Sequence, residues 1–422
     1  MLQTFLNSFR VAEIRKKLAF TAAILLLYRV GAYIPAPGID VDAVKSISAN
    51  FTGSVVFGFL NLFSGGSLER FAIFTLGIMP YITASIILQL MTVVVPSLEK
   101  LRKEGEVGQQ KITQYTRYLT VGLAFGQSIG YVFLINSFGG GSVDVVESFT
   151  FGRVFVIIIT LTAGCVLLMW MGELITQRGI GNGISLLIFA SIVASLPGGI
   201  VQWWNSPDPV FKLMMPFMCL AVIAAIVYVQ EGQRRIPIQY AKRVVGRRMS
   251  GGGSTYLPLR VNMAGVIPVI FAASLMAFPP TVGRLIQQPW AQDLSAAFGP
   301  NGWPYLVGES ILIILFTYFY TAVTFNPVEQ ADNLKKFGGF VPGVRPGRPT
   351  AEYLDRILAR LTFPGALYLA VVAAGPTIIV NQTSANFFFA GTSILIVVGV
   401  ALDTMKQLEA QLMMRNYEGF LK

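Results

Sequence analysis

Ten apolar stretches, each close to the length needed to cross a membrane, dominate this sequence. A membrane-spanning helix needs roughly 20 mostly apolar residues. The stretches are residues 18–34, 71–95, 118–137, 153–172, 183–204, 210–230, 261–283, 305–325, 361–381 and 387–405. Only 13% of the 422 residues are charged, too few to cover the surface of a soluble protein. The pattern predicts an all-α polytopic membrane protein with ten transmembrane helices.

The positions of Lys and Arg predict the orientation. If the N-terminus is cytoplasmic, 26 of the 32 basic residues fall on the cytoplasmic side and five fall outside, while Arg29 lies within the first stretch. Basic residues accumulate on the cytoplasmic side of membrane proteins, so both termini should be cytoplasmic. Residues 1–17 are expected to form an amphipathic segment at the membrane surface, and 406–422 a cytoplasmic tail.

The second stretch is interrupted in an unusual way. Its segment TLGIMPYITASIILQL, residues 75–90, contains Gly77 and Pro80. A proline within a helix removes a backbone hydrogen bond and kinks the axis. The preceding half-polar segment Asn61–Phe71 is too charged to span a bilayer, which suggests backbone that lines a cavity. An ordinary kinked helix after an external loop is the alternative.

Several classes of chemistry have no support in the sequence. The chain has no histidine, which removes the commonest general base and the Ser-His-Asp triad. Cys165 and Cys219 lie in apolar runs, where free cysteines behave as small hydrophobes, so neither a disulfide nor a metal site is expected. There is no Walker A sequence. We therefore expect no enzymatic activity and no cofactor.

The predicted spans carry very few charges at mid-depth. Glu173 and Asp403 fall at span ends, and Glu309 lies near an external end. Ion-coupled transporters usually place such residues near the midplane. An apolar constriction instead excludes water and ions without selecting a sequence. A secondary transporter using Pro80 and Pro268 to unwind helices, and an insertase scaffold without a pore, stay open as alternatives.

Two long basic loops follow the sixth and eighth spans. Both are rich in Gly and Pro, and the second covers residues 327–360. Apolar residues are interspersed among the charges, which favours ordered projections that bind other proteins. These residues are Ile236, Ile238, Tyr240, Phe337 and Phe340. The alternative is that the loops are topology signals touching anionic lipid.

Four motifs resemble those of one family. They are TLGIMPYITASIILQL from residue 75, MGELITQRGIGNGIS from 171, VNMAGVIP from 261 and ADNLKKFGGFVPGVRPG from 331. Together they are similar to the SecY family of protein-conducting channels, over residues from about 15 to the end. The resemblance implies two pseudo-symmetric halves of five helices and a short plug helix at 57–74. It divides the chain into spans one to five at 18–204, span six with its basic loop at 205–260, and spans seven to ten at 261–405.

The resemblance also implies roles for individual residues. A ring of branched apolar side chains at the waist of the channel would be Ile78, Ile82, Ile188, Ile270 and Ile396. The plug would include Asn61, Phe63, Ser64, Gly65, Gly66 and Arg70. Polar residues along a lateral gate, through which membrane segments leave into lipid, would be Thr83, Gln127 and Ser274.

The implied function is a gated, passive channel in the bacterial inner membrane. It would translocate unfolded secretory polypeptides and release membrane segments laterally. The implied partners are small SecE-like and SecG-like subunits, the motor ATPase SecA, the ribosome with its RNA, signal sequences, nascent polypeptides and membrane lipids. The residues that dock SecA or the ribosome would be Arg243, Arg247, Arg248 and Arg345.

Overall fold

Helices make up most of the structure, a computed structural model. It describes residues 11–44, 61–138, 149–205, 209–240, 243–245, 248–250, 254–276, 297, 302–383 and 391–419. The helices are α1 Ala12–Gly31, α2 Met79–Val94, α3 Pro96–Lys103, α4 Glu106–Phe138, α5 Phe151–Arg178, α6 Gly183–Asn205, α7 Pro209–Glu231, α8 Ile267–Met276, α9 Trp303–Thr324, α10 Pro327–Lys336, α11 Arg348–Thr383 and α12 Gly391–Gly419. Each of the ten predicted spans overlaps one of them.

Length and apolar composition single out about half of these twelve helices as spans. Within the described residues, six helices pass both tests, and α2 with α3 would make a seventh, bent by 98°. Helix α1 is charged in its first turns, and α8 is described for only ten residues. Because α3 carries Lys100, Arg102 and Lys103, it turns away from the apolar direction of α2. The predicted all-α polytopic membrane fold is confirmed.

The second span differs from its prediction. Its helix begins at Met79 and has Pro80 in the first turn, where the missing N–H needs no helical partner. The expected kink inside a helix is therefore wrong, because the proline starts the helix. Residues 71–78 form turns instead, with left-handed backbone at Phe71 (φ 45°) and Gly77 (φ 57°).

Backbone hydrogen bonds attach this turn segment to the end of the first span. The N–H of Ala36 donates to the carbonyl of Phe71 at 3.0 Å, and the N–H of Ile73 donates to the carbonyl of Ile34 at 3.0 Å. Non-helical backbone at this depth is tolerated only where its polar groups find partners within the protein. The segment 71–78 is therefore a fixed part of the frame.

The two basic loops form one projection. Its strands are β1 Gln233–Tyr240, β2 Arg243–Val245, β3 Arg248–Ser250, β4 Ser254–Arg260 and β5 Gly339–Phe340. Strand β1 pairs antiparallel with β4 on one side and β5 on the other, so a strand from the second loop completes the sheet of the first. Ile236 and Ile238 are buried, and Ile236 packs against Leu354 of α11 in a small core. The projection is ordered, although the sequence did not predict strands.

Close packing of α5 against the turn segment depends on Gly164. A Cβ added there would collide with the carbonyl oxygen of Ile73, whereas one added at Gly152 of the same helix would meet nothing within 4 Å. We expect Gly164→Ala to destabilise the fold by ~1–3 kcal/mol, the usual cost of overpacking. Gly152→Ala, which gains the same helix propensity, is the control. Equal melting temperatures of the two variants in detergent would contradict this packing.

Candidate functional site

A cavity of about 400 Å³ lies at the centre of the bundle. Its walls come from α2, α4, α5, α6, α8 and α9. A second cavity of about 420 Å³, bounded by α7, α8, α9 and α12, shares Asn182, Ser185, Ile267 and Tyr320 with the first. Because the two cavities share these four lining residues, they lie next to each other, and together they are here called the vestibule. By the predicted orientation it opens toward the cytoplasm.

The five predicted ring residues share one buried cluster at the inner end of the vestibule. Their exposed fractions are Ile78 4%, Ile82 3%, Ile188 1%, Ile270 4% and Ile396 0%. They come from different elements: Ile82 from α2, Ile188 from α6, Ile270 from α8 and Ile396 from α12, with Ile78 as the N-cap of α2. Ile82, Ile188 and Ile270 also line the vestibule. Apart from Ile78 and Ile82, these residues are far apart in the sequence, and the fold places all five in one buried cluster.

The predicted plug packs behind this cluster. Its described part is residues 61–74; residues 57–60 of the predicted plug lie outside the described residues. The name plug segment is used here for Asn61–Arg70, because residues 71–74 belong to the turn segment that is bonded to Ile34 and Ala36. Leu62 and Phe63 belong to the same buried cluster as the ring residues. Gly65 (φ 67°) and Gly66 (φ 83°) supply a left-handed turn that other residues rarely adopt. Within the segment, the side-chain amide of Asn61 donates to the carboxylate of Glu69 at 2.6 Å.

Sequence reasoning missed the residues that hold the plug segment from the first span. The Tyr28 hydroxyl lies 3.3 Å from the carbonyl oxygen of Ser64, and an Arg29 Nη donates to the carbonyl oxygen of Gly65 at 2.7 Å. The Tyr33 ring lies 4.2 Å from the guanidinium of Arg70. The charge of Arg29 inside an apolar run was the one available signal, since such residues are commonly functional.

The predicted gate residues have different surroundings. Ser274 of α8 contacts the sulfur of Met79 on α2 at 3.4 Å, and its hydroxyl also donates to the carbonyl of Ile270. Thr83 donates to the carbonyl of Met79 within its own helix, so its hydroxyl does not join two helices. Gln127 is half-buried on α4. Of the three, Ser274 makes a described contact between α2 and α8.

A second contact joins the same two sides of the bundle near the cytoplasmic loops. Arg102 of α3 donates to the backbone carbonyl of Val323 on α9 at 2.5 Å. Helix α3 follows α2 directly, so Arg102 ties the α2 side of the bundle to α9. This bond could not be predicted from the sequence, because the acceptor is a main-chain oxygen 221 residues along the chain.

Charges that line the vestibule are paired. Arg117 binds Glu173 through two hydrogen bonds of 2.9 and 2.6 Å. In the second cavity, Arg260 lies 3.9 Å from Asp403, and Lys406 near its wall contacts Glu231 at 2.9 Å. The wall therefore offers polar groups while carrying little unbalanced charge from these pairs, which suits passage of varied polypeptide.

Three of the four predicted docking arginines, Arg243, Arg248 and Arg345, lie in the described part of the projection. Arg243 and Arg248 open strands β2 and β3, while Arg247 lies outside the described residues. Arg345 is exposed in a turn between Gly343 (φ 83°) and Gly347 (φ 103°). The Thr350 hydroxyl donates to the Arg345 carbonyl at 2.8 Å and holds this turn in place. The side chain is thus presented to solvent by a defined backbone.

The fold and the vestibule define a polytopic membrane protein of the protein-conducting channel class. A solved structure described as a protein conducting channel matches with a TM-score of 0.64 at 20% identity, covering 93% of this chain and 91% of that one. Sec61 in the canine ribosome–channel complex from the endoplasmic reticulum matches with a TM-score of 0.62 at 18% identity, over the same shares. At these identities the likeness establishes the fold.

Sequence comparison gives the family. The SecY family profile matches residues 72–405. A relative from Mycobacterium tuberculosis, named Protein translocase subunit SecY, is 49% identical over 447 aligned positions that cover all of both chains. The chain belongs to the SecY family. The family resemblance inferred from the four motifs is confirmed.

Accessibility to a thiol reagent tests the vestibule. In a variant with Cys165→Ala and Cys219→Ala, we expect a single Ser185→Cys to react with a water-soluble maleimide, because Ser185 is partly exposed and lines both cavities. Ile192→Cys lies two turns along α6 in the bundle core, with the native side chain 0% exposed, and is the control. Equal labelling at both positions would contradict the assignment of Ser185 to the cavity wall.

Proposed function

We propose that this chain is a gated, passive protein-conducting channel. It translocates unfolded secretory polypeptides and releases membrane segments laterally into the lipid. One observation carries the proposal: isoleucines of three helices, Ile82, Ile188 and Ile270, close the inner end of a vestibule, with the plug segment packed behind them. Membership of a family that includes a protein translocase subunit supports it.

The ring works as a seal because its side chains are apolar and branched. A constriction of this kind excludes water, and ions do not pass where water is excluded. The same side chains make no directional hydrogen bonds, so they place no sequence requirement on a chain that passes between them. Ile78 and Ile82 lie one helical turn apart, and the N–H of Ile82 donates to the carbonyl of Ile78 at 3.1 Å. In this arrangement α2 supplies two layers of the seal.

Lateral release requires α2 and α4 to part from α8 and α9. The vestibule already reaches both sides of this seam, since Ser85 and Thr116 line it from one side and Phe271 and Tyr320 from the other. The polar contacts that cross the seam are weak or solvent-exposed: Ser274 to Met79, and Arg102 to Val323. A gate that must open repeatedly needs such contacts, because interhelical polar bonds contribute only about 1 kcal/mol each.

The cytoplasmic projection is the proposed docking site for partners. The structural neighbour Sec61 is described in a ribosome–channel complex, which supports the ribosome as one partner. Exposed Arg345 and the basic strands Arg243–Val245 and Arg248–Ser250 suit ribosomal RNA or an acidic surface of SecA. SecE-like and SecG-like subunits complete the assembly in the cytoplasmic membrane. The energy for transport comes from these partners.

Ion leak through the resting channel tests the seal. We expect Ile78→Gly combined with Ile82→Gly, or removal of residues 61–70, to conduct ions in planar bilayers, because the apolar closure is lost. Val93→Gly with Val94→Gly is the matched control, since these residues are exposed on the same helix away from the ring. If both ring and plug variants stay as tight as the control, the pore assignment loses its basis.

Charge reversal in the projection tests docking. We expect Arg345→Glu to lower SecA-driven translocation at least ten-fold while the melting temperature stays unchanged, because the side chain is exposed and its backbone holds the turn. Arg356→Glu, an exposed arginine with the same change in charge, is the control. Equal loss of translocation in both variants would mean that net charge, and not the Arg345 site, governs docking.

A further inference from the structure

We infer that Tyr28, Arg29 and Tyr33 form a latch that holds the plug segment shut, and that displacement of α6 releases it. This inference rests on the proposed function, because it assigns the closing contacts of the proposed plug. Tyr28 and Arg29 lie in the last turn of α1 and Tyr33 follows the helix, all at its external end by the predicted orientation. Each makes a different contact with the plug segment: a hydroxyl to the Ser64 carbonyl, a guanidinium to the Gly65 carbonyl, and a ring to Arg70.

The Tyr28 hydroxyl is shared between the plug segment and α6. It lies 2.6 Å from the hydroxyl of Ser191 and 3.3 Å from the carbonyl of Ser64, and Ser191 in turn donates to the carbonyl of Leu187 at 2.9 Å. Two hydroxyl protons thus serve three contacts. When the plug segment leaves, Tyr28 donates its proton to Ser191 and stays satisfied. Release of the plug segment therefore leaves no buried donor without a hydrogen-bond partner, which keeps the free-energy cost of release low.

Arg29 gives the latch its strongest single bond. Its guanidinium donates to the Gly65 carbonyl at 2.7 Å and to the Tyr33 hydroxyl at 2.8 Å, and it also lies 4.7 Å from the Tyr33 ring centre. Hydrogen bonds from a charged donor are stronger than neutral ones. A cation within a span needs such partners, because an unsatisfied charge there is costly. Arg29, which the sequence places within the first predicted span, is thereby assigned a role in closing the plug.

Arg70 at the end of the plug segment stacks on the same Tyr33 ring that Arg29 approaches. Attraction of a cation to an aromatic face contributes about 0.5–1 kcal/mol at exposed sites. The two guanidinium groups repel each other, so the stack favours closure only modestly. This balance suits a contact that has to be broken during each opening.

Two kinds of contact hold the plug segment: backbone bonds near Phe71, which would act as a hinge, and side-chain contacts to Tyr28, Arg29 and Tyr33, which form the latch. Residues 71–73 are bonded to Ile34 and Ala36 through backbone atoms, and Phe71 adopts left-handed backbone while fully buried. Before Phe71, the three latch side chains contact the plug segment, and the Ser67 carbonyl accepts from the Ala72 N–H at 2.9 Å and from the Thr75 hydroxyl at 3.3 Å. The plug segment is expected to swing about Phe71 while residues 71–73 stay bonded to Ile34 and Ala36. The swing breaks the side-chain contacts and the two bonds at the Ser67 carbonyl, and it leaves the backbone bonds to Ile34 and Ala36 intact.

The position of Ser191 couples the latch to the ring. Ser191 lies three residues after ring residue Ile188, on the same face of α6. A polypeptide that pushes Ile188 outward also moves Ser191. The Tyr28 hydroxyl then keeps either its hydrogen bond to the Ser191 hydroxyl or its hydrogen bond to the Ser64 carbonyl. Entry of a chain into the ring thereby weakens the hold on the plug segment. Opening of the seal and release of the plug become one event.

Conservative variants of the shared hydroxyl pair test the latch by conductance in planar bilayers. We expect Tyr28→Phe to raise resting leak about five-fold, because one lost hydrogen bond changes an equilibrium by roughly that factor. The ring stacking of Tyr28 on Phe74 survives this change. Ser191→Ala is the matched control: it leaves Ser64 as the acceptor for Tyr28, so leak should stay at or below wild type. Arg29→Gln should leak at least as much as Tyr28→Phe.

A labelling experiment follows the plug segment itself. Ser67 is 0% exposed and its hydroxyl lacks a hydrogen-bond partner, so Ser67→Cys disturbs little. With Cys165→Ala and Cys219→Ala, an external maleimide should label position 67 faster when Tyr28→Phe is added, but not when Ser191→Ala is added. A melting temperature near wild type confirms that each variant is folded.

The outcomes separate the latch from the channel itself. If removal of residues 61–70 fails to conduct, the proposed plug and pore are wrong. If that deletion conducts while Tyr28→Phe and Arg29→Gln neither leak nor expose position 67 more than Ser191→Ala, the channel stands and the latch is overturned.

Discussion

The burial of apolar side chains from four helices in one core is the constraint on which this structure depends. Ile82, Ile188, Ile270 and Ile396 belong to one buried cluster, and the first three also line the vestibule. Burial of such side chains normally fixes a structure in one arrangement, since each contributes about 1.5–3 kcal/mol. Under the proposed function, the same burial also excludes water and ions from the channel. Stability and impermeability would then depend on the same residues.

A channel whose core opens needs surrounding structure that stays fixed. Backbone bonds attach residues 71–73 to the end of α1, and close helix packing at Gly164 holds α5 against them. The parts expected to move are joined by side chains instead: Ser274 to Met79 across the seam, and Arg29 to Gly65 at the plug segment. Contacts of this kind exchange at modest cost. The side-chain contacts at the seam and at the plug segment are therefore expected to break on opening, while the backbone bonds to Ile34 and Ala36 persist.

Hydropathy predicted most of the fold, because a span must be apolar along its length and nothing else in the chain looks similar. It could not predict the cytoplasmic sheet. Strand β1 contains Pro237 and two arginines, and its short partner Gly339–Phe340 comes from the other loop. Proline argues against an inner strand when the sequence is read alone. The helix start at Met79 was also missed. A proline such as Pro80 indicates either a kink inside a helix or the first turn of a helix, and the sequence alone does not distinguish the two.

The site was predictable only through the family resemblance. Isoleucine at mid-span is ordinary, and nothing in the sequence distinguishes Ile82 from apolar residues that face lipid or a neighbouring helix. The partners of Arg29 are main-chain carbonyls and a tyrosine ring, which leave no pattern in the sequence. These contacts become visible only when the plug segment is placed beside α1.

A disulfide to a moving chain tests the central claim most directly. With Cys165→Ala and Cys219→Ala, Ile82→Cys would be introduced, and a secretory precursor carrying one cysteine would be stalled midway through the membrane. A cross-link that forms only with the stalled precursor would place Ile82 in the path of the polypeptide, as the structure leads us to expect. No cross-link from position 82, 188 or 270, with the precursor bound, would contradict a pore through this ring.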